Sequence, residues 1–299
     1  TNNIYFLEPY QPGRIPLVLI HGTASSPARW AQLINEILND RELWGRYQIW
    51  VFTYNTGNPI AYSAGILTDA LKKTVLELDP EGKDEALNKM VLIGHSQGGL
   101  LAKMAVVETE TLFLDQIAAA PLDELDVSEE TRAIILRSTI FKPLPFVRHV
   151  IFIATPHRGS FLSGHWGAGL VSRLISLPGI LLKSLQELTS RDPDVAAQIT
   201  MKDIPKSIDD MNPESSFIQT LSSLKIADNV TAHSIIPVKN REDRREKWND
   251  GVVGYESAHI DYASSELIVN AEHSAQGEPQ TIEEVRRILI ENLKETAEY

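Results

Sequence analysis

Short, almost wholly apolar runs recur along this chain, and they restrict its fold more than any other feature. The runs are Leu17–Ile20, Ile49–Tyr54, Met90–Ile93, Val150–Ala154, Ser234–Val238 and Leu267–Val269, with Ile4–Leu7 as a candidate edge strand. Each is too short for a helix, and most lack the apolar–polar alternation of a strand with one wet face. Strands of this kind are expected where both faces of a sheet are covered. Amphipathic stretches separate the runs, so the expected fold class is α/β, with a mostly parallel central sheet and helices on both faces.

The helix boundaries are marked too. Ser26-Pro27 reads as an N-cap followed by proline in the first turn, leading into Trp30, Leu33, Ile34 and Ile37 at helical spacing. Thr281-Ile-Glu-Glu284 reads as a capping box, and Val285, Ile288, Leu289 and Leu293 then share one face of a final helix. Two stretches interrupt the alternation. Residues 159–228 are leucine-rich and then polar, which predicts a mainly helical insertion into a core made of residues 1–158 and 229–299. A smaller insertion spans 111–145 and holds Asp123, Glu124, Asp126, Glu129 and Glu130, read as a solvated helix N-terminus.

At 299 residues the chain suits one large α/β domain or two small ones. Its formal charge of -12 repels phosphate backbones and anionic surfaces, which excludes nucleic acid as an expected partner. Cysteine is absent, so disulfides, thiolate metal sites and cysteine nucleophiles are all excluded. No run reaches the ~18 apolar residues of a membrane span, and a soluble globular protein is expected. The sequence begins at Thr1 with no leader pattern, which is compatible with an upstream segment having been removed and with secretion or envelope association. The oligomeric state is not legible.

The chemistry begins at Met90-Val-Leu-Ile-Gly-His-Ser-Gln-Gly-Gly-Leu-Leu-Ala102. A G-x-S-x-G pentad between a strand and a helix is the setting of a nucleophile elbow. The turn is strained, and the glycines remove side chains that would collide. It would lift the Ser96 hydroxyl above the sheet and aim the Gln97 amide at a developing oxyanion.

A serine needs a base to take its proton. In chain order the base follows the nucleophile, after the last strand and before the last helix. His273 fits, and His259, before that strand, is the competitor. The orienting carboxylate belongs between the two, and Asp250 in Asn-Asp-Gly-Val-Val is the best placed. Glu242 and Asp243 sit in a highly charged run that reads as solvated surface. The second oxyanion donor is expected from the loop after Leu17–Ile20, at the amide of Thr23. His21 and His95 read as residues that orient loops. His157 and Arg158 read either as substrate contacts or as strand-end turn residues.

Together, His21-Gly22, the Gly94–Gly99 elbow, Ile153-Ala-Thr-Pro-His-Arg-Gly-Ser160, Asp250-Gly-Val-Val253 and late His273 resemble an α/β-hydrolase of the bacterial serine esterase/lipase kind. The Ala-Thr-Pro-His segment is similar to lipase relatives that include GPI-inositol deacylases. The resemblance covers the core from about Leu17 to Leu293 and implies ester hydrolysis through an acyl-serine. Ser96, Asp250 and His273 take the catalytic places, with Thr23 and Gln97 at the oxyanion hole. A structural calcium known in some bacterial lipases has no matching loop here, and no metal or cofactor is expected.

In such a protein the 159–228 insertion would be a cap over the site, making Leu174, Leu177, Leu181 and Leu185 candidate walls of an acyl pocket for a small-molecule or lipid ester. Their spacing equally describes ordinary helix–core packing. The same residues would also serve an acyltransferase or thioesterase. A catalytically silent binding protein of this fold would be expected to lack part of the triad.

Overall fold

The computed structural model describes residues 3–117, 127–161, 179–191 and 207–295. Its centre is one seven-stranded sheet: β1 (Ile4–Phe6), β2 (Ile15–Ile20), β3 (Tyr47–Phe52), β4 (Met90–His95), β5 (Val147–Ile153), β6 (Thr231–Pro237) and β7 (Ser265–Val269), in the order β1-β3-β2-β4-β5-β6-β7. β1 runs antiparallel to β3, and every other pairing is parallel. The helices are α1 (Ala31–Asn39), α2 (Ile60–Leu78), α3 (Gln97–Met104), α4 (Glu129–Thr139), α5 (Gly179–Arg191), α6 (Ser207–Asp210), α7 (Ser216–Ser223), α8 (Tyr255–Ala258) and α9 (Pro279–Glu295).

The two-residue period of a strand sorts the apolar runs between two cores. Val18, Ile20, Trp50, Phe52, Leu92 and Phe152 face α2 and α3. Their neighbours Leu17, Leu19, Val51, Ile93 and Ile153 face α1 and α9, meeting Trp30, Leu33, Val285 and Leu289. Every residue of β2, β3 and β4 is buried, as expected of strands covered on both sides. The two cores account for the near-continuous apolar runs.

Several boundaries differ from the sequence expectation for a physical reason. Strands β3, β5 and β6 begin earlier, at Tyr47, Val147 and Thr231, where buried polar residues broke the apolar pattern. The Gln48 amide donates to the carbonyls of Gln11 and Arg14 at 3.2 and 2.6 Å. His149 and His233 stack across β5 and β6 with ring centroids 5.5 Å apart. The Thr281 capping box does not form: α9 starts at Pro279, and Thr281 is a fully buried residue inside its first turn. Proline, which needs no hydrogen-bond acceptor for a missing N–H, suits that first position. Ser26 precedes a 3-10 turn (Pro27–Trp30) without capping it through its side chain. In α4, Ser128 does cap, accepting the Thr131 N–H at 3.3 Å, and Glu129 and Glu130 fill the first turn. Asp123, Glu124 and Asp126 lie outside the described residues.

A long segment of the chain separates β5 from β6. Within it, Leu181 on α5 packs against Tyr62, Ile66 and Ile134 of α2 and α4. Leu174 and Leu177, and the side chain of Leu185, lie outside the described residues. The return leg is tied down at buried Asp210, whose carboxylate accepts the first N–H of α2, at Ile60, over 2.7 Å. Burial pushes that carboxyl up to about 7. Among the described residues no helix is long and apolar enough to cross a membrane.

The stacked histidines make stability depend on pH. Burial, and then the charge of His149, pushes His233 down to about 4, and burial lowers His149 as well. Both rings therefore bind protons more readily in the unfolded chain. Their contribution is complete above the ordinary histidine range near 6.5 and is lost as pH falls toward about 4. The melting temperature should fall across that interval in a thermal scan, and His233→Asn should flatten the slope; an identical slope in the variant would show that the pair does not cause it.

Candidate active site

β4 lies in the middle of the sheet, and the chain turns sharply at its end. Ser96 sits between β4 and α3 with φ 54° and ψ -125°, a conformation that a residue carrying a Cβ rarely adopts. Its N–H donates to the Ile153 carbonyl at 2.8 Å, and its carbonyl accepts the Gly99 N–H at 2.9 Å. The flanking glycines are required by contact. A Cβ on Gly94 would lie 2.5 Å from the Gly98 carbonyl oxygen, and one on Gly98 would collide with the Ile20 carbonyl.

Two later loops bring their side chains to this turn. His273 follows β7, and its Nε2 lies 2.9 Å from Ser96 Oγ. Its Nδ1 lies 2.6 Å from Asp250 Oδ2. Asp250 is 2% exposed and follows β6. Its other oxygen, Oδ1, accepts the N–H groups of Val252 and Val253 at 2.8 and 2.7 Å. Gly251, at φ 96°, makes the tight return that brings those amides round. With the carboxylate accepting the hydrogen bond from Nδ1–H, the bare Nε2 is left to accept from the serine hydroxyl.

His95 adds a further tie. Its Nε2 lies 2.8 Å from the backbone carbonyl of His273, to which it donates, so the residue before the serine holds the loop that carries the imidazole. Burial, reinforced by the neighbouring His273, pushes His95 down to about 3 and keeps it neutral. His21 stacks on Tyr54 at 4.7 Å, and the Tyr54 hydroxyl donates to the His21 carbonyl at 2.8 Å. Both histidines orient loops.

Thr23 lies beside Ser96 on the cavity wall. Gln97 is the first residue of α3, so its amide precedes the helical hydrogen-bond ladder. The sequence reading did not find what the Gln97 side chain does. Its Oε1 accepts the Thr23 hydroxyl at 2.6 Å, and its Nε2 donates to the Thr56 carbonyl at 3.2 Å. One buried amide thus fixes the loops after β2 and β3 against the elbow. No spacing signal marks it, because the contact exists only once three loops have folded.

The alternatives sit elsewhere. His259 binds Glu266 and Asp261 at 2.5 and 3.1 Å, and against the effect of its burial these carboxylates hold it above the ordinary histidine range. Asp243 accepts from Asn240 at 3.1 Å on the exposed loop, where Glu242 is exposed too. His157 packs edge-on against Phe152 at 4.6 Å, and Arg158 donates to the carbonyls of Glu256 and His259 at 2.7 and 2.5 Å. Neither lines the cavity at Ser96.

That cavity measures about 190 Å³, and its walls include Thr23, Arg29, Met211, Val252, Val253 and Ser274. The valines come from the Asp250 turn, so one short loop supplies both a polar anchor and an apolar wall. Leu181 is not part of it. Among the described residues no group of three or more metal-ligating side chains occurs.

Residues 17–279 match the model of the alpha/beta hydrolase family. No curated protein sequence matches the chain. Among solved structures, a lipase from Staphylococcus hyicus is similar with a TM-score of 0.57 at 15% identity, covering 97% of this chain and 99% of that one. The Bacillus licheniformis lipase BlEst2 in its propeptide form has a TM-score of 0.54 at 13% identity. That match covers 96% of this chain and 53% of the other, so the chain spans about half the length of that relative. EstA from Clostridium botulinum has a TM-score of 0.50 at 14% identity, covering 96% of this chain and 88% of that one. These likenesses reach the fold alone. The family match runs from β2 to the first residue of α9 and so includes the elbow and both loops that converge on it; this chain belongs to the alpha/beta hydrolase family.

Proposed function

We propose that this chain is a serine carboxylic ester hydrolase that forms an acyl-serine intermediate on esters of apolar acyl groups. The observation that carries the reading is the unbroken hydrogen-bond chain from Ser96 through His273 to buried Asp250, at 2.9 and 2.6 Å, opening on a cavity. Ser96 Oγ attacks the ester carbonyl while His273 Nε2 takes its proton. Asp250 holds the tautomer and offsets the imidazolium charge. The tetrahedral oxyanion faces the amides of Gln97 and Thr23. On collapse the C–O bond to the alcohol breaks, His273 returns the proton to the departing oxygen, and the acyl group remains on Ser96. Water, giving its proton to the same imidazole, attacks the acyl carbon; the C–O bond to Ser96 then breaks, His273 returns the proton to Ser96 Oγ, and the acid leaves.

Residues 159–228 act as the cap in this reading. Met211 on the cavity wall and the anchoring of Asp210 to α2 support that role.

The test is hydrolysis of p-nitrophenyl esters from acetate to palmitate, with the chain-length optimum separating an esterase from a lipase. Ser96→Ala should lower kcat by a factor on the order of 10⁶, since the triad acts as a unit. Equal activity in wild type and variant would overturn the mechanism. Asp250→Asn, which leaves the wrong histidine tautomer, should lower kcat by about 10⁴. Gln97→Ala keeps the backbone amide but frees the Thr23 loop, and a misplaced donor should lower kcat by about 10². An unchanged kcat in that variant would mean that the side-chain clamp does not position the oxyanion hole.

A further inference from the structure

The loop after β5 touches two cavities with consecutive residues. Pro156 lines the one at Ser96, and His157 lines a second, of about 560 Å³. Lys103, from the C-terminal end of α3, and His157 face this second space, and each is 1% exposed. Both ring nitrogens of His157, and the hydroxyl of Tyr262 beside them, are buried without a hydrogen-bond partner. Lys103 Nζ lies 5.8 Å from the centre of the Tyr262 ring, with no carboxylate partner among the described residues.

Buried polar groups normally find partners, and a buried ammonium is rare unless paired. Here two unpartnered side chains, His157 and Tyr262, and a lysine with no carboxylate partner among the described residues line one cavity, and each can donate. The groups nearer the rim are already engaged or exposed. Arg158 is held by the carbonyls of Glu256 and His259, Asp261 by His259, and Lys225 and Asp228 are exposed. The rest of the lining is largely apolar, with Leu224, Ile226, Val230 and Ile260. Convergent donors beside an apolar wall fit an anionic head on a short hydrocarbon tail.

We propose that this cavity binds a small aliphatic carboxylate, with its oxygens held by Lys103, His157 and Tyr262 and its tail against Leu224, Ile226 and Ile260. A carboxylate suits the site better than a phosphate, because Lys103 is the one buried cation there among the described residues and half the wall is apolar. Burial, and then the charge of Arg158, pushes Lys103 down to about 7. Burial, with Lys103 and Arg158, holds His157 well below its ordinary range, so it is neutral with one N–H to donate. A bound carboxylate favours the charged amine, so binding weakens as pH rises through about 7.

The experiment is a calorimetric titration of the full chain with sodium butyrate, in parallel with sodium chloride and inorganic phosphate. Saturable butyrate binding is expected, weaker by about tenfold or more in Lys103→Met, as for the loss of a charged hydrogen bond. Tyr262→Phe removes only an unpartnered hydroxyl and should weaken binding severalfold in a fully folded protein, so it carries the test if Lys103→Met fails to fold. Labelling of Ser96 by a fluorophosphonate should proceed at the wild-type rate in both variants. Absence of saturable butyrate binding, unchanged affinity in Tyr262→Phe, or preference for phosphate over butyrate would each overturn the proposal.

Discussion

The turn at Ser96 holds a residue with a Cβ at φ 54°, and it persists because the surrounding backbone leaves the chain nowhere else to go. Helix α3 crosses so near β2 and β4 that any side chain at position 94 or 98 would meet a carbonyl oxygen. The serine N–H is taken by β5 and its carbonyl by Gly99, so the strained conformation is fixed at both ends. The central sheet can impose this geometry because its strands are packed on both faces and pinned in register by neighbours on either side. The other side chains of the candidate site converge on this turn.

Those groups are joined to it by polar contacts of unequal visibility. His273 reaches Ser96 through its ring, while its carbonyl is gripped by His95, so side chain and main chain of one residue are secured by consecutive residues of the elbow. Asp250 is secured in turn by two amides of its own loop. Gln97 performs the same service for Thr23 and Thr56. Side chains held in this way need little reorganisation, which is the condition under which fixed dipoles act most strongly on a developing charge.

Much of this could be read from residues in order, and some could not. The sheet was legible because its strands are buried on both faces. The runs stopped short wherever a polar residue entered a strand, at Gln48, His149 and His233, whose partners lie on distant segments. Ser96 and His273 stood out because each sits on a turn just past the carboxyl end of a strand, and Asp250 because its Asp-Gly turn lies between them in the order that an elbow demands. The Gln97 clamp carried no pattern. The capping box at Thr281 looked sound locally, yet the helix began earlier, where Pro279 was available and Thr281 was wanted inside the packing. Leu181 had the spacing of a pocket wall and lies in ordinary helix packing instead.

The contact between Ser96 and His273 closes a loop of 177 residues, and that between His95 and His273 one of 178. Contacts of such sequence separation depend on the pairing of the strands between them. The Ser96 hydroxyl and the His273 ring meet only where β5, β6 and β7 have all joined β4. On the proposed mechanism, a chain in which those strands had not yet joined would hold a serine with no base beside it, and so no activated nucleophile while its own apolar surface was still exposed.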